Sequence, residues 1–172
     1  QTTNYDIMVK DKVVGGATMM KKVQNEKEYS LKYTFDASIT VLFITTTVDL
    51  DLDIDYKNGQ MMNANVSYIY NGKPYITNYV WNGSAYDVTK DGKKSIRTQK
   101  AFYSVMNFYV TEPVGVKEVF LERQNEFSTL ESKGNGVYEL EVDGDDCTYT
   151  YRNGRLEKLL VDAFIDLTLI RK

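Results

Sequence analysis

The stretch Val48-Asp49-Leu50-Asp51-Leu52-Asp53-Ile54-Asp55-Tyr56-Lys57-Asn58-Gly59-Gln60-Met61-Met62-Asn63-Ala64-Asn65-Val66 alternates apolar and polar residues on both sides of an Asn-Gly pair. Successive side chains of a strand point to opposite faces, so alternation at period two marks a sheet with one apolar face. Asn-Gly tolerates the positive φ of a tight reversal, which makes the stretch a β-hairpin. The same grammar returns at Tyr70-Asn71-Gly72, Trp81-Asn82-Gly83, Lys90-Asp91-Gly92 and Arg152-Asn153-Gly154. The chain therefore reads as a row of hairpins, an antiparallel meander.

Register decides which side chains share a face. A three-residue loop at each x-Asn-Gly, with Gly as a bulge, pairs Ile54 with Met62, Leu52 with Ala64 and Leu50 with Val66. The same rule pairs Val66 with Ile76 and Ile76 with Val88, keeping one apolar face through four turns. A two-residue loop at Asn58-Gly59 sets Ile54 against Asn63 and loses that ladder, so the three-residue loop is the expectation.

Working outward, strands are expected at Tyr5 to Lys10, Val13 to Val23, Glu28 to Phe35 and Ile39 to Tyr56, with Gly15-Gly16 marking a bulge or a close backbone approach. After Arg97 the period changes: Phe102, Val105, Met106, Tyr109 and Val110 recur at helical spacing until Glu112-Pro113 stops them, which predicts one short helix over about 99–111. Strands resume from Val116 to Ile170, for about a dozen in all. A meander with one apolar face must curl to hide it, and the helix is the natural plug. The expected fold class is all-β, an antiparallel meander curled into a barrel or half-barrel with the helix packed on it.

At 172 residues, with two prolines and no low-complexity run, residues 1–172 are expected to form a single β-rich domain. No apolar run reaches the roughly 20 residues of a membrane helix. The outward row Asp49, Asp51, Asp53 and Asp55 also argues against a lipid-facing barrel. Net charge is −3 with both signs interspersed, which gives no basic patch for nucleic acid. Oligomeric state is not legible.

The chain contains no histidine. Ser-His-Asp and Cys-His catalysis and histidine metal sites are therefore excluded. The single cysteine, Cys147, forms no internal disulfide; it reads as a small buried hydrophobe rather than a reactive thiol. Asp49 to Asp55 project from one strand face at intervals of roughly 6.8 Å, too wide for neighbours to share a calcium ion. They read as a solvated face opposite Asn63, Asn65 and Ser67. Asp143-Gly144-Asp145-Asp146 lacks the remaining ligands of a calcium loop and reads as a polar turn. No metal, cofactor or catalytic residue is assigned.

Several segments together carry a resemblance. They are Tyr5-Asp6-Ile7-Met8-Val9-Lys10 with Val13-Val14-Gly15, Trp81-Asn82-Gly83 with Tyr86-Asp87-Val88, Tyr103-Ser104-Val105 through Tyr109 and Glu112-Pro113, and Tyr149-Thr150-Tyr151-Arg152-Asn153-Gly154. Over nearly its whole length the chain resembles an uncharacterised family of exported all-β proteins of Bacteroidota, a domain of unknown function. The resemblance implies a signal peptide removed before Gln1 and a periplasmic or secreted location; it brings no catalytic residues.

Three functional readings follow. The leading one is a non-enzymatic binding protein that holds an apolar or lipid-like ligand on the concave sheet face, with Leu50, Leu52, Ile54, Val66, Tyr68 and Ile76 below and Phe102 and Met106 from the helix above. The second is a structural or interaction module that uses an outward aromatic stripe of Tyr75, Tyr79 and Trp81. The third is a carbohydrate-active enzyme, which requires two facing carboxylates with one pKa raised.

Overall fold

The computed structural model describes residues 1–172. Fourteen antiparallel strands form one sheet: β1 (Thr2–Val9), β2 (Lys12–Val23), β3 (Glu28–Val41), β4 (Ile44–Lys57), β5 (Gln60–Tyr70), β6 (Lys73–Trp81), β7 (Tyr86–Lys90), β8 (Lys93–Arg97), β9 (Glu118–Leu121), β10 (Glu126–Gly134), β11 (Val137–Val142), β12 (Asp145–Arg152), β13 (Arg155–Asp162) and β14 (Leu167–Arg171). Their order is β8-β7-β6-β5-β4-β3-β2-β1-β14-β13-β12-β11-β10-β9, so every sequence neighbour up to β8 pairs, every neighbour from β9 pairs, and β1 joins β14. The all-β meander expected from the alternation is the fold.

The sheet curls until its edges meet. The β8 side chain Arg97 donates through Nε to Asn125 Oδ1 at 2.7 Å and through its guanidinium to the Asn125 carbonyl. Beside it the Tyr79 hydroxyl of β6 donates to the Glu122 carbonyl at 2.6 Å, and Lys90 of β7 to the Arg123 carbonyl at 3.2 Å. No backbone ladder joins β8 to β9. The seam is made by side chains, so the wall is an open, curled barrel.

The segment between β8 and β9 goes inside. It contains a single 3-10 turn, Val105–Tyr109, where a longer helix over 99–111 was expected. Of the five apolar residues at helical spacing, Met106 and Tyr109 are buried and Val105 and Val110 are half-buried; the turn also buries Phe108, and wall hydroxyls bond its backbone and side chains. Tyr151 donates to the Phe108 carbonyl at 2.7 Å, and Tyr56 bonds Ser104 Oγ at 2.8 Å and donates to Asn107 Oδ1 at 2.9 Å. This plug is held by specific polar bonds to buried tyrosines. Phe102 lies outside it, exposed.

The register differs from the three-residue expectation. Asn58-Gly59, Asn71-Gly72, Asp91-Gly92 and Asn153-Gly154 are two-residue loops with positive φ at both positions. A bulge between Asp55 and Tyr56, with Met62 as the extra residue, then brings Ile54 opposite Ala64 and Leu52 opposite Val66. The bulge preserves the apolar ladder that a plain two-residue loop would lose. No such correction follows Asn71-Gly72, so Val66 pairs with Thr77 and Ser67 with Ile76. The face of β6 is the reverse of that expected: Tyr79 is 1% exposed and Ile76 is 39% exposed. Ile76 therefore lies on the opposite side from Ile54, Val66 and Val88. One reversal went unanticipated, the Leu42-Phe43 turn that divides Ile39 to Tyr56 between β3 and β4. At Gly15 a Cβ would collide with the Asp36 carbonyl across β2 and β3, beside a bulge near Ile7 and Met8.

Alternate turns of a meander fall at the same end. The lower end carries Asn58-Gly59, Asn135-Gly136 and Asn153-Gly154 together with the plug. The upper end carries Lys10-Asp11, Leu42-Phe43, Asn71-Gly72, Asp91-Gly92, residues 122–125, Asp143-Gly144 and residues 163–166.

Candidate functional site

Above the plug the barrel is hollow. A cavity of about 240 Å³ lies between the inner faces of β3–β5 and β12–β14, floored by Val105, Met106 and Tyr109 and reaching residues 122–124 and Asp143 at the upper end. Its walls are Phe35, Val48, Leu50, Leu52 and Tyr68 on one side and Cys147, Tyr149, Leu159, Val161, Leu167 and Leu169 on the other. Alternation positions these residues, because each wall strand sends every second side chain inward. Apolar walls of this kind shelter apolar matter from water.

Five polar residues interrupt that lining: Glu122, Arg123 and Gln124 from the turn joining β9 to β10, and Asp143 and Asp145 at the turn joining β11 to β12. Arg123 pairs with Asp143 at 2.7 Å and lies over the Tyr68 ring at 4.7 Å, an ion pair braced by an aromatic face at the cavity rim. Glu122 is buried and neither carboxyl oxygen finds a well-formed hydrogen bond; the Gln124 amide nitrogen is likewise buried without a partner. Burial pushes the Glu122 carboxyl up to about 7, while the nearby Ser104 hydroxyl and the backbone N–H groups of Glu122 and Met106 draw it partly back. No second carboxylate contributes to that shift, so the raised pKa is an effect of burial and not of an acid pair.

The expected ligand residues divide. Leu50, Leu52, Tyr68 and Met106 line the cavity. Ile54 and Val66 share their face but belong to the packed core. Ile76 faces outward and Phe102 is exposed, so neither lines it. The aromatic stripe is not an outward feature. Tyr79 is buried, Trp81 packs edge-on against Tyr86 at 4.9 Å beneath Lys100, and Tyr75 is half-buried beside Tyr68.

Sequence reading missed the second wall and the Glu122 turn. The apolar run Val119-Phe120-Leu121 ending in a charged residue was the available signal, since all three are buried and carry Glu122 in with them.

The other acidic features are surface. Asp53 lies opposite Lys32 and Asn65, with its carboxylate 3.6 Å from the lysine. Asp49 faces Asp36, whose hydrogen bond and repulsion push its pKa up. Asp143-Gly144 is a two-residue hairpin turn. Cys147 is buried, and desolvation pushes its thiol up to about 12.

Fold and site together define an open antiparallel β-barrel, plugged at one end and holding an apolar cavity at the other. The chain belongs to the family described as a domain of unknown function (DUF6134), whose model matches residues 5–170. No curated protein and no solved structure matches it. No helix is long and apolar enough to cross a membrane.

Proposed function

We propose that this protein is a non-enzymatic binding protein whose barrel cavity holds an apolar, lipid-like ligand. The observation that carries the reading is the space of about 240 Å³ left unfilled between apolar walls, while the same barrel is tightly packed one layer below. An interior closed only for stability is expected to fill such a space, because packing voids cost stability. Export to the periplasm or beyond, and an origin in Bacteroidota, are part of the proposal and rest on the resemblance described above.

Native mass spectrometry of protein purified gently from its source tests the reading. The expected result is a retained hydrophobic adduct that is absent from Leu50→Trp, a variant whose larger ring occupies the cavity. Adduct-free wild-type protein that also fails to take up a fluorescent fatty acid overturns it.

A further inference from the structure

The seven two-residue hairpin loops with positive φ at both positions include six of the form Asn-Gly or Asp-Gly and one that is Leu42-Phe43. Leu42 has φ 48° and Phe43 φ 71°, a backbone region in which a bulky side chain crowds its own carbonyl. Nothing inside the protein compensates, since Leu42 is 84% exposed and Phe43 is fully exposed. Two exposed apolar residues thus hold positive-φ positions at a turn, where the other six such loops use Asn-Gly or Asp-Gly.

Their surroundings point the same way. The loop after β13 lifts Phe164, also fully exposed, on the other side of a shallow groove that Leu42 lines. The tip between β1 and β2 supplies Lys10 and Lys12 to this groove, with Asp11 and Asp166 in balance. All three tips belong to the end of the barrel at which the cavity reaches its rim.

We propose that this end docks on a lipid bilayer, inserting Leu42, Phe43 and Phe164 into the interface while Lys10 and Lys12 stay at phosphate level. Separate convex apolar tips fit a medium that deforms around them, whereas a protein partner would need a matching socket for each. Aromatic rings and snorkelling lysines suit the boundary between headgroups and acyl chains. Because charge at the groove is balanced, attraction is mainly apolar. The docked rim places the cavity against the bilayer, but docking needs no ligand in the cavity, so this inference and the binding reading stand or fall separately.

The test is co-sedimentation of the full chain with sucrose-loaded phosphatidylcholine vesicles, with and without added phosphatidylglycerol, at low and high salt. Wild type is expected to partition to both vesicle types and to persist at high salt. The decisive variant is Leu42→Asn/Phe43→Gly, which installs the turn used elsewhere in the sheet. It is expected to melt no lower than wild type yet to partition at least about tenfold less, the loss expected when two large apolar side chains are removed from a buried interface. Phe164→Ser is expected to act in the same direction. Equal partitioning of the double variant and wild type overturns the proposal. So does wild type that ignores vesicles but forms a dimer in sedimentation that the double variant abolishes, which assigns the tips to a second copy of the chain.

Discussion

The two ends of the barrel solve one problem in opposite ways. At the lower end the plug fills the lumen: Phe108 is fully buried with its ring 4.5 Å from that of Tyr149, Asn107 bonds Tyr56 and Tyr29, and the surrounding turns use residues suited to positive φ. At the upper end the lumen is left open above Met106, a carboxyl is buried without good partners, and one turn carries Leu-Phe. The difference teaches where stability has been concentrated and where it has been relinquished. The turn rules hold at each two-residue loop of the lower end and are broken at one turn, Leu42-Phe43, of the end that has a cavity and a rim.

The sharpest way to break this comparison is to empty the filled end. Phe108→Ala is expected to lose about 3–5 kcal/mol of unfolding free energy by urea titration, the usual cost of deleting a fully buried ring. A loss under about 1 kcal/mol would mean that the plug is as loosely packed as the space above it.

Next in size is the buried carboxyl. Glu122 has its folded pKa raised from the ordinary 4.5 to about 7, so the folded state keeps a proton that the unfolded chain has given up. That contribution is fully present below about pH 4.5, falls as pH rises, and is gone above about pH 7. The swing amounts to about 3 kcal/mol. Glu122→Gln removes the titration, and the expected outcome is a variant whose melting temperature exceeds that of wild type at pH 8 and converges with it near pH 4.5. Parallel pH profiles for the two proteins would refute this account.

Exchanging the turns sharpens the comparison from the other side. Asn58→Leu/Gly59→Phe places the apolar pair on the lower end, where strain alone is expected to cost about 2–4 kcal/mol at about 1–2 kcal/mol per residue. The smallest effect belongs to the cavity. Leu50→Trp is expected to change stability by less than about 1 kcal/mol, whereas overpacking a filled core costs about 1–3 kcal/mol.

Much of this was legible in the chain. Alternation through Val48 to Val66 gave the strands and the inward face of Leu50, Leu52, Ile54 and Val66, because period two is a direct consequence of the pleat. Loop length was not legible. A two-residue turn with a bulge at Met62 preserves the same kind of apolar ladder as a three-residue turn, so the pattern around Asn58-Gly59 does not distinguish them. The choice mattered on β6, where Tyr75, Thr77, Tyr79 and Trp81 compete with Ile76 and Val80 for the interior, and on β8, where the three-residue rule sets Ile96 against Tyr86 but Ile96 lies opposite Asp87 and is exposed. The tyrosines of β6 face inward, and Tyr79 reaches a carbonyl across the seam. Leu42-Phe43 could not be seen as a turn because no turn rule selects those residues. The cavity needed both walls, and nothing local reports that Leu52 and Leu159 line the same space.

A fully closed barrel ties strand number, tilt and shear into one equation, so a hairpin can be added or lost only if the whole cylinder is rebuilt. The seam at β8 and β9, stitched by Arg97 in place of a ladder, releases this wall from that arithmetic. Ladder pairing ends at β8 on one side and at β9 on the other, so strand pairing alone sets no fixed girth for this wall.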